Sequence, residues 1–309
     1  MLTYLLWAFT ARLAPRVPQR LQAVLGAAGG TLAYLLNRRA RAAALRNLAV
    51  ICPDLTERER RRLAIRTFVH GAWSYLELFV LAHTGPDKLR AAYRIVGWEH
   101  LDAALADGRG VIMVTAHVGA PSVTGQLVAL HGVQANVVVE PMRPAALHRL
   151  INHLRGAFGI RTLPIDASTV RHIVAALRRN EVVGILADRD VAGSGEILPF
   201  FGRPTRVTTA AATLARRTGA SVVPAIAFRT GAFHGVGRIE PAVEIPTTSS
   251  PAGDARAGTL RILERIERFV REHPEQWVMF SDIWPEDVEK RAEDTQRSST
   301  IRGASGPGA

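Results

Sequence analysis

An α/β fold, with a largely parallel central sheet flanked by helices and a helical segment leading into it, follows from three features of the sequence. Short runs rich in Val and Ile recur at Val111–Val114, Val137–Val139, Val182–Leu186 and Val222–Phe228. Helical stretches alternate with them, near residues 102–106, 121–131, 145–157, 168–180 and 208–218. Strands that read as continuous apolar runs are buried on both faces, the pattern of parallel strands joined by helical crossovers. Residues 1 to about 90 contain no such alternation and read as helical.

The first elements carry the least regular signal. Met1–Phe9 is apolar, but no basic stretch precedes it and no small-residue cleavage site follows, so it does not read as a secretory signal. Leu21–Leu36 is a second apolar run, shorter than the ~20 residues needed to span a bilayer. Arg12, Arg16 and Arg20 lie between the two runs, and Arg38, Arg39 and Arg41 follow. Apolar segments set among arginines suit interfacial helices on an anionic membrane face; the alternative is that they only pack on the core. Val50–Pro53 breaks the helical pattern. Asp54 or Thr56 can cap the next helix, and Thr56 with Glu59 has capping-box spacing. That helix carries Leu63, Ile65, Phe68, Val69, Trp73, Leu76 and Phe79 at helical spacing, and Gly85–Pro86 ends it. Residues 258–273 form a late amphipathic helix with Leu260, Ile262, Ile266 and Phe269 on one face. The organisation expected is a helical segment over 1–90, packed on the core and associating with membrane, an α/β domain over 91–289, and a disordered polar tail over 290–309.

Charge and cysteine usage narrow the function classes. Of 309 residues, 39 are Lys or Arg and 27 Asp or Glu, a net charge of +12, which suits an anionic partner such as a membrane leaflet, a nucleic acid or a phosphorylated substrate. The arginines are dispersed and accompany no nucleic-acid motif, so nucleic acid is not expected as a partner. The single cysteine, Cys52, excludes an intrachain disulfide and agrees with a reducing compartment.

One position stands out chemically. The run Gly110–Ala116 leads directly into His117, followed by Gly119, Pro121 and an apolar helix. Ligands of open α/β sheets bind at the carboxyl ends of strands, so a histidine before a Gly-containing turn is placed to act as a general base near neutral pH. Capping of the next helix is the other reading.

From here the residues resemble a family. Arg46-Asn47-Leu48 with Cys52-Pro53, the block from Gly110 through Thr115-Ala116-His117-Val118-Gly119, Val139-Glu140-Pro141, and Arg155 through Gly159 occur in order. Ala187-Asp188-Arg189-Asp190, Phe200-Phe201-Gly202-Arg203-Pro204, Leu214-Ala215 with Thr218-Gly219-Ala220 and Val223-Pro224, and His273-Pro274-Glu275-Gln276-Trp277 follow. Over residues 40–285 the chain is similar to the bacterial lysophospholipid acyltransferase-like superfamily, in the branch of the lipid A late acyltransferases and phosphatidylinositol mannoside acyltransferases. The resemblance implies a glycerolipid acyltransferase-like fold and transfer of a fatty acyl group from acyl-CoA or an acyl carrier protein to a hydroxyl of a membrane glycolipid. His117 would be the catalytic base.

The family signature is a histidine, four residues, then Asp or Glu. The fifth residue after His117 is Ser122, which can accept a hydrogen bond from the imidazole but brings no charge. Another carboxylate then does the work (Glu140, Asp188, Asp190 and Glu196 are the candidates), or the reaction needs less basicity, or the protein binds without catalysing. By resemblance Glu140 is a catalytic carboxylate that pairs with His117 or Arg155, against a plain salt bridge to Arg143. Glu196, in the loop after Gly193-Ser194-Gly195, is a candidate second carboxylate at His117. Arg155 could stabilise an oxyanion or bind a phosphate, or be one more solvated arginine. Asp188 and Asp190 read as acceptor-binding or structural, Arg203 and Arg206 as phosphate-neutralising or a basic rim. Thr208-Thr209 opens a helix and is a further candidate anion site. His131, His148, His153 and His172 share no spacing and read as surface or packing residues.

The mechanism implied is direct acyl transfer, with His117 taking the acceptor's proton and Arg155 and backbone amides stabilising the oxyanion. No acyl-enzyme, cofactor or metal is called for. The expected place of action is the cytoplasmic face of the bacterial plasma membrane, as a peripheral protein. The alternatives are a catalytically impaired relative that binds lipid or an acyl carrier, and an acyltransferase of specialised metabolism.

Overall fold

The computed structural model describes residues 2–285 and Val288; the expected tail over 290–309 lies outside them. Five helices come first: α1 (Leu2–Leu13), α2 (Gln19–Leu36), α3 (Arg38–Ile51), α4 (Glu57–Leu81) and α5 (Pro86–Ala92). Thr56 caps α4 in a full capping box with Glu59, so two of the helix's orphan N–H groups are satisfied where the sequence placed the start. The close approach of α2 to α4 depends on glycine: a Cβ on Gly30 would lie 2.6 Å from the Val69 Cα.

The rest is a sheet wrapped by helices: β1 (Tyr93–Val96), α6 (Trp98–Ala106), β2 (Val111–Thr115), α7 (Pro121–Leu130), β3 (Ala135–Val139), α8 (Ala145–Arg155), β4 (Arg161–Pro164), α9 (Thr169–Arg178) and β5 (Val182–Leu186) come first. A separate antiparallel hairpin, β6 (Glu196–Phe200) and β7 (Arg203–Val207), is followed by α10 (Ala210–Thr218), β8 (Ser221–Gly231), β9 (His234–Ile239) and α11 (Pro251–Glu272). The main sheet runs β1-β9-β8-β2-β5-β3-β4, and of its pairings only β8–β9 is antiparallel. The four apolar runs of the sequence are β2, β3, β5 and β8. The edge strands β1 and β4 and the Gly-rich β9 are short or polar and gave no such run.

The helical lead-in and the sheet share one core. Tyr34, Leu48 and Phe68 cluster with Ile112, Val183, Phe269 and Trp277. A smaller cluster packs Trp7 of α1, edge-on to Tyr75 and Phe79 of α4, beside Leu147, Ile151 and Leu154 of α8. No helix among the described residues is long and apolar enough to cross a membrane. The outer faces of α1 and α2 nonetheless leave large apolar side chains in solvent, among them Phe9, Val24, Leu25, Leu32, Leu35 and Leu36.

After α11 a strap returns over the strand ends. After a single 3-10 turn, Pro274–Gln276, residues 277–284 pass across the carboxyl edge of β2. Val278 N–H donates to the His117 carbonyl at 2.7 Å. Asn47 of α3 donates to the Ser281 carbonyl at 2.8 Å and accepts from Ile283 N–H, and Arg46 forms a two-pronged pair with Asp282.

Candidate active site

Strand register builds the site. β2 and β5 are parallel neighbours, with Thr115 opposite Leu186. Two residues further along each strand stand His117 and Asp188. The His117 main-chain N–H donates to Asp188 Oδ2 and the ring Nδ1 lies on Oδ1, both at 2.8 Å. Trp277 of the strap donates its indole N–H to Oδ2 at 2.9 Å.

The Asp188 side chain is wholly buried. Burial alone would raise its pKa, but the adjoining imidazole, the hydrogen bonds from the ring and main chain of His117 and that from Trp277 outweigh burial and hold it below the ordinary carboxylate value. An ionised carboxylate only accepts, so Nδ1 of His117 carries the proton and Nε2 is left as the basic nitrogen. The ring is partly open to solvent, so a substrate proton can reach it. This is the arrangement in which a carboxylate fixes the tautomer of a general base and stabilises the imidazolium that forms.

The turn after His117 admits only glycine at position 119, where φ is +67° and a Cβ would lie 1.9 Å from the Ala227 carbonyl oxygen. Gly119 N–H donates to the Gln276 carbonyl and Ala120 N–H to the Ala227 carbonyl. With the His117 N–H taken by Asp188, the amides of residues 117, 119 and 120 are committed within the protein, so the backbone amides expected at the oxyanion do not come from these three positions.

The remaining candidates fall in different places. Glu140, expected beside His117 or Arg155, lies at the carboxyl end of β3 and pairs with Arg189. Glu196, expected as a second carboxylate at the histidine, starts β6 and pairs at 3.1 Å with Arg256 of α11. The carboxylate on the imidazole is Asp188 instead, which for that reason cannot also be offered to an acceptor. Asp190 accepts from the N–H groups of Gly193 and Gly195, and Arg206 donates to the Gly195 carbonyl at 2.7 Å; both tie down the β5–β6 loop. Arg203 is exposed on β7. Ser122, in the first turn of α7, makes no hydrogen bond to His117 among the described residues. Arg155 ends α8, is largely buried beside Tyr75, and burial lowers its pKa. No carboxylate pairs with it among the described residues. No three His, Cys, Asp or Glu side chains gather as metal ligands among them.

The family model described as bacterial lipid A biosynthesis acyltransferase matches residues 1–285. The chain belongs to the bacterial lipid A biosynthesis acyltransferase family. Within that family it is 32% identical over 218 residues to a phosphatidylinositol mannoside acyltransferase of Mycobacterium tuberculosis, covering 69% of this chain and 67% of the relative. It is 28% identical to the protein of that name from Mycolicibacterium smegmatis, over 70% of this chain and 71% of the relative. A lipid A biosynthesis lauroyltransferase of Escherichia coli is 26% identical over 82% of each chain. The chain is accordingly an acyltransferase.

Proposed function

We propose that this acyltransferase moves a fatty acyl group from a thioester donor, acyl-CoA or an acyl carrier protein, to a hydroxyl of a membrane glycolipid such as a phosphatidylinositol mannoside. The observation that carries the reading is the His117–Asp188 pair, a base with its tautomer fixed at the open end of the sheet. The acceptor class rests on the names of the relatives from two mycobacterial organisms.

In the proposed reaction Nε2 of His117 takes the hydroxyl proton as the acceptor oxygen attacks the thioester carbonyl. The tetrahedral intermediate collapses with cleavage of the C–S bond, and the imidazolium returns its proton to the leaving thiolate. Asp188 stays ionised throughout and offsets the imidazolium charge. Arg155, a cation with no carboxylate partner among the described residues, suits the oxyanion or a phosphate of either substrate. The apolar outer faces of α1 and α2, with Arg12, Arg16, Arg20, Arg38 and Arg39 nearby, support docking of residues 1–90 on the anionic cytoplasmic face of the plasma membrane.

The test is incubation of the purified protein with radiolabelled acyl-CoA, or acyl carrier protein charged with the same chain, and extracted mycobacterial phospholipids, with mass analysis of the product. A glycolipid heavier by one acyl group, absent with His117→Ala, is the expected result. A product of some other acceptor class, or none from either donor, would refute the assignment.

A further inference from the structure

Behind the His117 turn lies a buried charge pair that the reaction as described does not use. Arg229 of β8 and Glu77 of α4 are joined at 2.6 Å, with side chains 0% and 7% exposed. The second arm of the guanidinium donates to the Gly119 carbonyl at 2.5 Å. On the far side, the Tyr93 hydroxyl of β1 donates to the other oxygen of Glu77 at 2.5 Å. Gln276 exchanges two hydrogen bonds with the main chain of Arg229 and accepts from Gly119 N–H through its own carbonyl. Two separated segments therefore grip Gly119, two residues after His117: Arg229 at its carbonyl and Gln276 at its N–H, with Glu77 and Tyr93 behind the arginine.

Stability is a weak explanation for this pair. Removing two charges from water is costly, and a buried pair is often no more stabilising than apolar residues of the same size. Here the Nε of Arg229 is buried without any partner, a further penalty. The guanidinium does one thing an apolar side chain cannot: its fork spans Glu77 and the carbonyl of the turn at once.

We propose that Glu77 and Arg229 are positioning residues that hold the Gly119 peptide, and with it the His117 imidazole, in register with Asp188. The proposal rests on His117 being the base of the acyl transfer. Misplacement of a reacting group by about 1 Å is enough to lower a rate about a hundredfold.

The decisive protein is the double variant Glu77→Leu/Arg229→Met, which removes both charges together and so leaves neither stranded. Two readings are taken on it. One is transfer from radiolabelled acyl-CoA to extracted membrane glycolipid. The other is the low-field proton resonance of His117 Nδ1–H, assigned by its loss in His117→Ala. The expected result is a melting temperature close to wild type, a kcat lower by about a hundredfold, KM changed by less than about twofold, and a shifted or broadened Nδ1–H resonance. A purely structural pair would leave kcat and the resonance alone, and wild-type values of both overturn the proposal. Should the double variant fail to fold, Arg229→Lys decides. It keeps a cation on Glu77 but has no fork to reach Gly119, so its kcat is expected to fall, and an unchanged kcat refutes the role. If wild type itself transfers no acyl group from either donor, the acyl-transfer reading has failed, and the resonance alone tests positioning.

Discussion

Asp188 holds His117 twice, through the ring Nδ1 and through the main-chain N–H, each at 2.8 Å. One carboxylate thereby sets both the tautomer of the imidazole and the start of the turn that carries it. The contact spans 71 residues of sequence and is made by strand pairing, not by a helix turn.

Asp188→Asn should keep the fold and lose most of the rate. Loss of the orienting charge in a serine-protease triad lowers kcat about 10⁴-fold, and a fall of comparable order is expected here with KM little changed. The carboxyl pKa is lowered in the fold, so its contribution to stability is present above the ordinary carboxylate range and is lost as pH falls through the lowered value. Denaturant midpoints of wild type and Asp188→Asn should therefore differ most at neutral pH and converge in acid. A variant with wild-type kcat would show that the carboxylate plays no part in the reaction.

Ser122→Ala should change kcat by less than about tenfold, the range of one neutral hydrogen bond, because the imidazole is already served by Asp188. Ser122→Asp in the Asp188→Asn background tests the reverse. The serine position stands at the start of α7 rather than against Nδ1, so little rescue is expected. Steady-state rates of the two variants, measured beside wild type, settle both points.

His70 gives the stability a pH dependence of its own. Burial, with the Arg229 and Arg66 cations near it, lowers the imidazole to about 3 from 6.5. Between those values the unfolded chain binds a proton that the folded one refuses, so stability falls as pH drops from about 6.5 toward about 3, by up to about 1.4 kcal/mol per unit. His70→Phe should flatten that part of the curve. Chemical denaturation at a series of pH values would show it, and parallel curves for the two proteins would exclude His70 as the cause.

Phe9→Ser/Val24→Ser/Leu36→Ser should weaken sedimentation with anionic liposomes while leaving the melting temperature nearly unchanged, since these side chains are 64%, 64% and 72% exposed. Deleting residues 1–40 is a poorer test, because α2 covers α4 through Tyr34, Gly26 and Gly30. Undiminished binding by the triple variant would place the membrane contact elsewhere.

Much of the fold was legible because burial on both faces leaves a continuous apolar run, as in β2, β5 and β8. The same logic exposed His117, a polar residue where such a run ends. What the sequence could not supply was strand order. Asp188 ends an apolar run just as His117 does, but only the adjacency of β2 and β5, with Thr115 opposite Leu186, reveals that the two residues meet. Glu140 was correctly expected at the same edge, but the arginine beside Asp188 captures it. Glu196 was misplaced because the β6–β7 hairpin, with Pro199 and Pro204 inside it, does not look like strand. Glu77 and Arg229 left a faint trace, as lone opposite charges in apolar stretches of α4 and β8.

The strap over residues 277–284 gives the protein an order of completion. Helices α1–α11 and strands β1–β9 precede it, yet Trp277 bonds Asp188, Val278 bonds His117, and Asp282 meets Arg46 of α3. Because translation runs from the N-terminus, the ribosome delivers Trp277 after the strands that carry His117 and Asp188. A nascent chain synthesised only as far as residue 276 can bury most of its core and still lack the indole that holds Asp188, so the His117–Asp188 pair is completed only when the strap arrives.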